Sequence, residues 1–169
     1  MRHIRAIIAI AVLLIATGIY DASACSGRYH PVERYLLRQG SRPASGIAAN
    51  SVSAASAGYA AFMIPDRALR SLLRDVENVT VAMPRLDADY YSRRDFRRGL
   101  MRKLSIGYRE VETWETRDDT AHIMVRQRYG EITEAVVYLE DRLMVLDLTG
   151  HVSKAVLASI KDYLTKTSE

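Results

Sequence analysis

Cys25 is the only cysteine in this chain of 169 residues, so no disulfide can close within it. Its thiol is free for other chemistry, and the residues around it decide which. Elsewhere the chemically capable side chains are scattered. His122 lies near Asp118 and Asp119, but no serine or cysteine of matching character stands out to complete a nucleophilic triad. A metal site needs several His, Cys or carboxylate ligands brought together, whereas His30, His122 and His151 fall in separate parts of the chain. Asp87 and Asp89, either side of Ala88 and ahead of Tyr90-Tyr91, offer oxygen ligands of the kind calcium takes. Such residues more often open a loop or a helix. No metal, cofactor or catalytic site is expected, and the chain does not read as an enzyme.

The densest chemistry is cationic. Arg93, Arg94, Arg97, Arg98, Arg102 and Lys103 occupy one stretch that also carries Phe96, Leu100 and Leu104 at helical spacing. On a helix Arg94, Arg98 and Arg102 share a stripe opposite Phe96 and Leu100. Guanidinium groups bind phosphate bidentately, so this stripe is the candidate contact with anionic lipid headgroups or an acidic partner. The plainer reading is the solvated face of an amphipathic helix.

Cys25 itself closes an export pattern. Arg2 and Arg5 give a positive start, Ala6 to Ile19 is a nearly unbroken apolar run, and Ala22-Ser23-Ala24 supplies the small residues of a cleavage site. The run is shorter than the roughly 18 to 20 residues a bilayer-spanning helix needs. Two processing outcomes compete. Cleavage before Cys25 by an ordinary signal peptidase would release a soluble periplasmic protein. The same residues resemble a bacterial lipobox, whose cysteine takes a diacylglycerol on sulfur; Ala22 departs from the leucine usual at its place. Lipid attachment at Cys25 is favoured, because it gives the odd thiol a use.

Lys and Arg outnumber Asp and Glu by 24 to 20. Once Arg2, Arg5 and Asp21 leave with the export segment, the surplus is three. That is too small for a nucleic-acid binder, and no nucleic acid is expected.

Three regions are expected: an export segment over 1–24, a flexible tether over 25–57 and one small domain over 58–169. Within the tether, Tyr29 to Leu37 has the makings of a short helix, and Gln39 onward is rich in Gly, Ser, Ala and Pro, a composition that buries too little to offset ordering. In the domain, Tyr59 to Ile64 reads as a strand and Pro65-Asp66 opens a helix with Leu69, Leu72, Leu73 and Val76. Val79 to Met83 is a strand stopped by Pro84. Ser92 with Asp95 forms a candidate capping box, and Gly107 ends that helix. Tyr108 to Trp114, Ala121 to Tyr129, Ile132 to Leu139 and Leu143 to Leu148 follow as strands, with turns at Arg117-Asp118-Asp119, Gly130-Glu131 and Glu140-Asp141. In the second of them Ala121, Ile123, Val125 and Tyr129 alternate with His122, Met124, Arg126 and Arg128, a strand with one wet face. That wet face is either plain sheet surface or a docking edge. A last helix after Gly150 carries Val152, Val156, Leu157, Ile160, Tyr163 and Leu164. Four strands on short turns pair as an antiparallel meander, so the class is α+β: a four- to five-stranded antiparallel sheet with helices on one face. The ten tyrosines suit interfaces and suit packing equally.

This order of elements, with the ending Leu146-Asp147-Leu148-Thr149-Gly150-His151-Val152, resembles the exported bacterial domain-of-unknown-function family 4252. The similarity runs from about Tyr59 to Leu164. It implies an exported, non-enzymatic domain and transfers no catalytic residue. The expectation is therefore an exported envelope protein on the periplasmic side, held to the membrane by a lipid on Cys25 and acting by binding or assembly with an envelope protein. The alternative is a soluble periplasmic module that binds a small ligand between sheet and helices.

Overall fold

The computed structural model describes residues 30–53, 76–115, 119–158 and 161. The export segment, Cys25, the strand at 59–64, the helix opened by Pro65-Asp66 up to residue 75, the turn residues Arg117 and Asp118, and Ile160, Tyr163 and Leu164 lie outside them.

Among the described residues there are two full helices, α1 (Pro31–Gly40) and α2 (Tyr90–Leu104), and six strands: β1 (Ile47–Ser53), β2 (Asn78–Pro84), β3 (Arg109–Glu115), β4 (Thr120–Arg128), β5 (Glu131–Leu139) and β6 (Met144–Thr149). The strands form one sheet in the order β1-β2-β6-β5-β4-β3, and every neighbouring pair is antiparallel. The α+β class and the meander of β3 to β6 are as expected; the strand count is six.

The sixth strand comes from the segment expected to be a tether. From Pro31 to Ser53 the chain is built into the domain. Val32 and Leu36, one turn apart on α1, are completely buried, as is Ile47 at the head of β1. β1 pairs with β2 from Ile47 opposite Pro84 to Ser53 opposite Asn78. Composition suggested a chain too polar to order itself. Pairing with a preformed strand supplies the missing stabilisation, because strand preference depends more on context than on residue type. The close approach of α1 and β1 requires Gly40: a Cβ there would lie 2.7 Å from the Ala49 Cβ.

Pleating assigns each strand residue to one of two faces. One face carries Ile47, Ala82, Val136, Tyr138 and Val145, and α1 and α2 pack on it through Val32, Leu36, Phe96, Leu100 and Leu104. The opposite face carries Val79, Val81, Ile123, Val125, Val137 and Leu148, joined by Val152 and by Val156 of the helical turn at 154–158. The expectation of helices on one face holds for α1 and α2, while the closing segment adds to the other layer. Tyr129, expected on the buried side of its strand, stands fully in solvent at the β4–β5 hairpin with φ 52°.

Candidate functional site

α2 is set by its first turn. The Asp89 carboxylate accepts a 2.6 Å hydrogen bond from the Ser92 backbone N–H, filling one of the donors that a helix start leaves open. That bond, more than any other influence, holds the Asp89 carboxyl below its ordinary range. The expected capping box is corrected accordingly: the helix begins at Tyr90 and Asp89 is its cap, so Ser92 and Asp95 are already inside. Asp89 is thus committed to a helix start rather than to an ion.

With 3.6 residues per turn, Phe96, Leu100 and Leu104 are buried on one side of α2, while Arg94, Arg98 and Arg102 are exposed on the other. The arginine stripe lies where the spacing places it. Its contacts are loose. Arg94 Nε is 3.7 Å from Asp95 Oδ1, and Arg98 Nη1 is 3.9 Å from the same oxygen; exposed pairs of this kind contribute little. The Arg94 guanidinium also lies over Tyr91 at 5.2 Å and Tyr90 at 6.0 Å, within cation–π range. Both tyrosines are exposed, as are Met101 on the same helix, Leu86 ahead of it and Ile106 behind it. Sequence reasoning named the arginines and missed this aromatic and aliphatic company, which lies outside the charge pattern.

The His122 face differs from expectation. His122 Nδ1 is 2.7 Å from Glu110 Oε1, and Nε2 is 3.4 Å from Glu140 Oε2. The ring stacks on Tyr138 at 5.9 Å. Arg97 of α2 reaches Glu140 as well. Asp119 is occupied elsewhere: its carboxylate accepts from the backbone N–H groups of Asp141 and Arg142, stapling the β5–β6 turn. A triad needs hydroxyl and carboxylate on opposite nitrogens of the imidazole. Here Thr113 Oγ1 and Glu110 share Nδ1, and Nε2 meets the Glu140 carboxylate. The arrangement ties β3, β4, α2 and the β5–β6 turn together. The hydrogen bond from Thr113, followed by that from His122, keeps the Glu110 carboxyl below its usual range.

Beneath α1 lies a group that sequence reasoning did not find. Glu134 of β5, Asp147 and Thr149 of β6, and Thr80 of β2 are all completely buried on the α1 side of the sheet, and His30 and Glu33 face them from α1 and its start. His30 Nδ1 is 3.5 Å from Glu134 Oε2, and Arg126 Nη1 is 3.9 Å from the same oxygen. The Arg126 guanidinium also lies 5.8 Å from the Tyr108 ring. Among the described residues both carboxylate oxygens of Asp147, both of Glu134, Glu33 Oε1 and Thr149 Oγ1 are buried without a hydrogen-bond partner. Burial pushes the Asp147 carboxyl well above its ordinary range, and Glu134 and Glu33 push it further. Burial likewise raises Glu33, against the pull of His30. The Tyr108 hydroxyl is raised by burial and then by Glu134.

Among the described residues no group of three or more His, Cys, Asp or Glu side chains is arranged to hold a metal ion, and no helix is long and apolar enough to cross a membrane. No family model, no curated protein and no solved structure matches this chain.

Proposed function

We propose that this is an exported envelope protein, held to the membrane by a lipid on Cys25, whose domain binds an anionic lipid surface through the outer face of α2. The observation that carries the reading is the exposed stripe Arg94, Arg98 and Arg102 with Tyr90 and Tyr91 beside it. Arginine and interfacial aromatics together match what a headgroup layer offers: phosphate for the guanidinium, and a boundary between water and hydrocarbon for the ring. Each cation near an anionic surface contributes about 1 kcal/mol. A stripe of this size is therefore a weak contact alone and an effective one on a protein already confined to the bilayer by a lipid, since a second attachment multiplies the first.

The test is co-sedimentation with vesicles, using a variant with Cys25→Ser so that the lipid does not contribute. Binding to phosphatidylglycerol vesicles is expected to exceed binding to phosphatidylcholine vesicles and to fall as salt rises from 50 to 300 mM, on the order of the range over which surface charges become screened. Arg94→Glu, Arg98→Glu and Arg102→Glu together should abolish it without changing the melting temperature. Equal binding to both vesicle types, or full binding by the triple variant, overturns the reading. Intact-mass measurement of the N-terminal peptide tests the lipid on Cys25 separately.

A further inference from the structure

The buried group under α1 presents a charge problem that the surrounding residues do not solve. Glu33, Glu134 and Asp147 bring three carboxyl groups into one buried layer. Among the described residues two possible cations face them: Arg126 from β4 and His30 from the start of α1, the second charged only when protonated. The other facing groups are neutral or acidic. Tyr108 precedes β3, Asn78 and Thr80 come from β2, Thr149 from β6, and exposed Glu77 adds a further negative charge near Glu33. Thr80 is already committed, donating a 2.9 Å hydrogen bond to Ser51 Oγ of β1. Thr149 Oγ1, fully buried, has no partner among the described residues. A buried carboxylate without donors is costly. Protonation of one of the carboxyls relieves that cost.

The geometry also says what the proton controls. Asp147 and Glu134 are fixed on adjacent central strands, whereas Glu33 rides on α1, which is held by Val32, Leu36 and the Tyr35 hydrogen bond to Phe96 O at 2.9 Å. Charge building up between sheet and helix can be relieved by moving only one of the two, and that is the helix.

We propose that α1 is a proton-controlled latch, closed over the sheet while Glu33 and Asp147, buried beside Glu134, retain a proton, and released from the sheet when they ionise. This consequence rests on the lipid anchor proposed above: α1 follows Cys25 in the sequence, so its release would lengthen the chain between the anchored end and the sheet.

The experiment is amide hydrogen–deuterium exchange of the full chain from pH 5 to 8, with rates corrected for intrinsic pH dependence. Coupling to one proton makes the protection of α1 amides fall by up to tenfold per pH unit, while amides of β5 and β6 hold theirs. Asp147→Asn and Glu33→Gln each remove an ionisable group without changing shape, and each should flatten the α1 slope and keep α1 protected at pH 8. Two variants at different positions keep the test decisive if one of them fails to fold. A flat α1 profile in the wild type overturns the proposal. So does a slope unchanged in the carboxyl variants but abolished by His30→Asn, which would make the histidine alone responsible. Loss of protection in β5 and β6 at the same rate as in α1 also overturns it, because the event is then global unfolding.

Discussion

Glu134 and Asp147 are diagonal neighbours on one face of the sheet: Glu134 pairs with Thr149 and Val136 pairs with Asp147, on adjacent strands β5 and β6. Both side chains are completely buried. Two carboxyls placed this way cannot both ionise cheaply, and burial, then Glu134 and Glu33, push the Asp147 carboxyl well above its ordinary range. The sign of the stability effect follows. An acid whose folded form holds its proton more tightly than the unfolded form contributes fully below the unfolded pKa and loses that contribution as pH rises through the folded one. Stability to urea should therefore fall from about pH 4 upward, the ordinary carboxyl range being near that value. Asp147→Asn should be more stable than wild type at pH 8 and nearly equal to it at pH 4, because the amide carries no charge to bury. A variant less stable than wild type at pH 8 contradicts the assignment.

The two faces of α2 should respond very differently to truncation. Phe96 is fully buried and its ring stacks on Tyr35 at 5.8 Å, so Phe96→Ala leaves a cavity and should cost about 3–5 kcal/mol. Arg98→Ala removes one exposed side chain and a 3.9 Å contact, and should change stability by no more than about 0.5 kcal/mol. Thermal denaturation of the two variants beside wild type checks both values.

Asp89 and Ser92 distinguish the observed helix start from the one expected from sequence. Asp89→Ala removes the side chain that accepts the Ser92 N–H, and should lower the melting temperature; Asp89→Asn, which keeps an acceptor, should restore most of it. Ser92→Ala keeps the N–H and should cost less than Asp89→Ala. Because the Asp89 carboxyl is held below its ordinary range, its contribution is present at neutral pH and is lost as pH falls through the folded value. The gap between wild type and Asp89→Ala should narrow under acid conditions.

These contrasts mark what periodicity makes legible. The stripe Phe96, Leu100, Leu104 and the alternation of Ala121, Ile123 and Val125 are properties of neighbours in sequence, and a helix or strand follows from them directly. β1 was invisible because Ile47-Ala48-Ala49-Asn50-Ser51-Val52-Ser53 offers only Ile47 and Val52 to the core; what makes it a strand is β2 alongside. The buried carboxyl group was hidden for a related reason. Asp147 between Leu146 and Leu148, or Glu134 between Thr133 and Ala135, reads locally as the wet side of a strand. Only the arrival of α1 on that side, from a segment read as a tether, makes it dry.

The seat of α1 on α2 depends on a glycine, which gives a handle on the latch that alters no charge. Gly99 lies where a Cβ would come 2.2 Å from the Tyr35 hydroxyl oxygen and 2.7 Å from its Cζ. To yield, the ring must give up its stacking on Phe96 and its hydrogen bond to the Phe96 carbonyl; burial, first of all, pushes its hydroxyl ionisation up to about 12. Gly99→Ala favours the α2 helix itself by about 1 kcal/mol, so α2 should remain formed. The methyl group should instead displace Tyr35 and loosen α1. Limited proteolysis is the measurement: cleavage after Arg34 and Arg38 by trypsin should quicken in Gly99→Ala at pH 5, where the carboxyl group favours the closed helix, while cleavage after Arg126 in the central sheet stays slow. Equal rates in wild type and variant would mean that α1 is held by Val32 and Leu36 alone and that the Tyr35 contact contributes nothing to its docking.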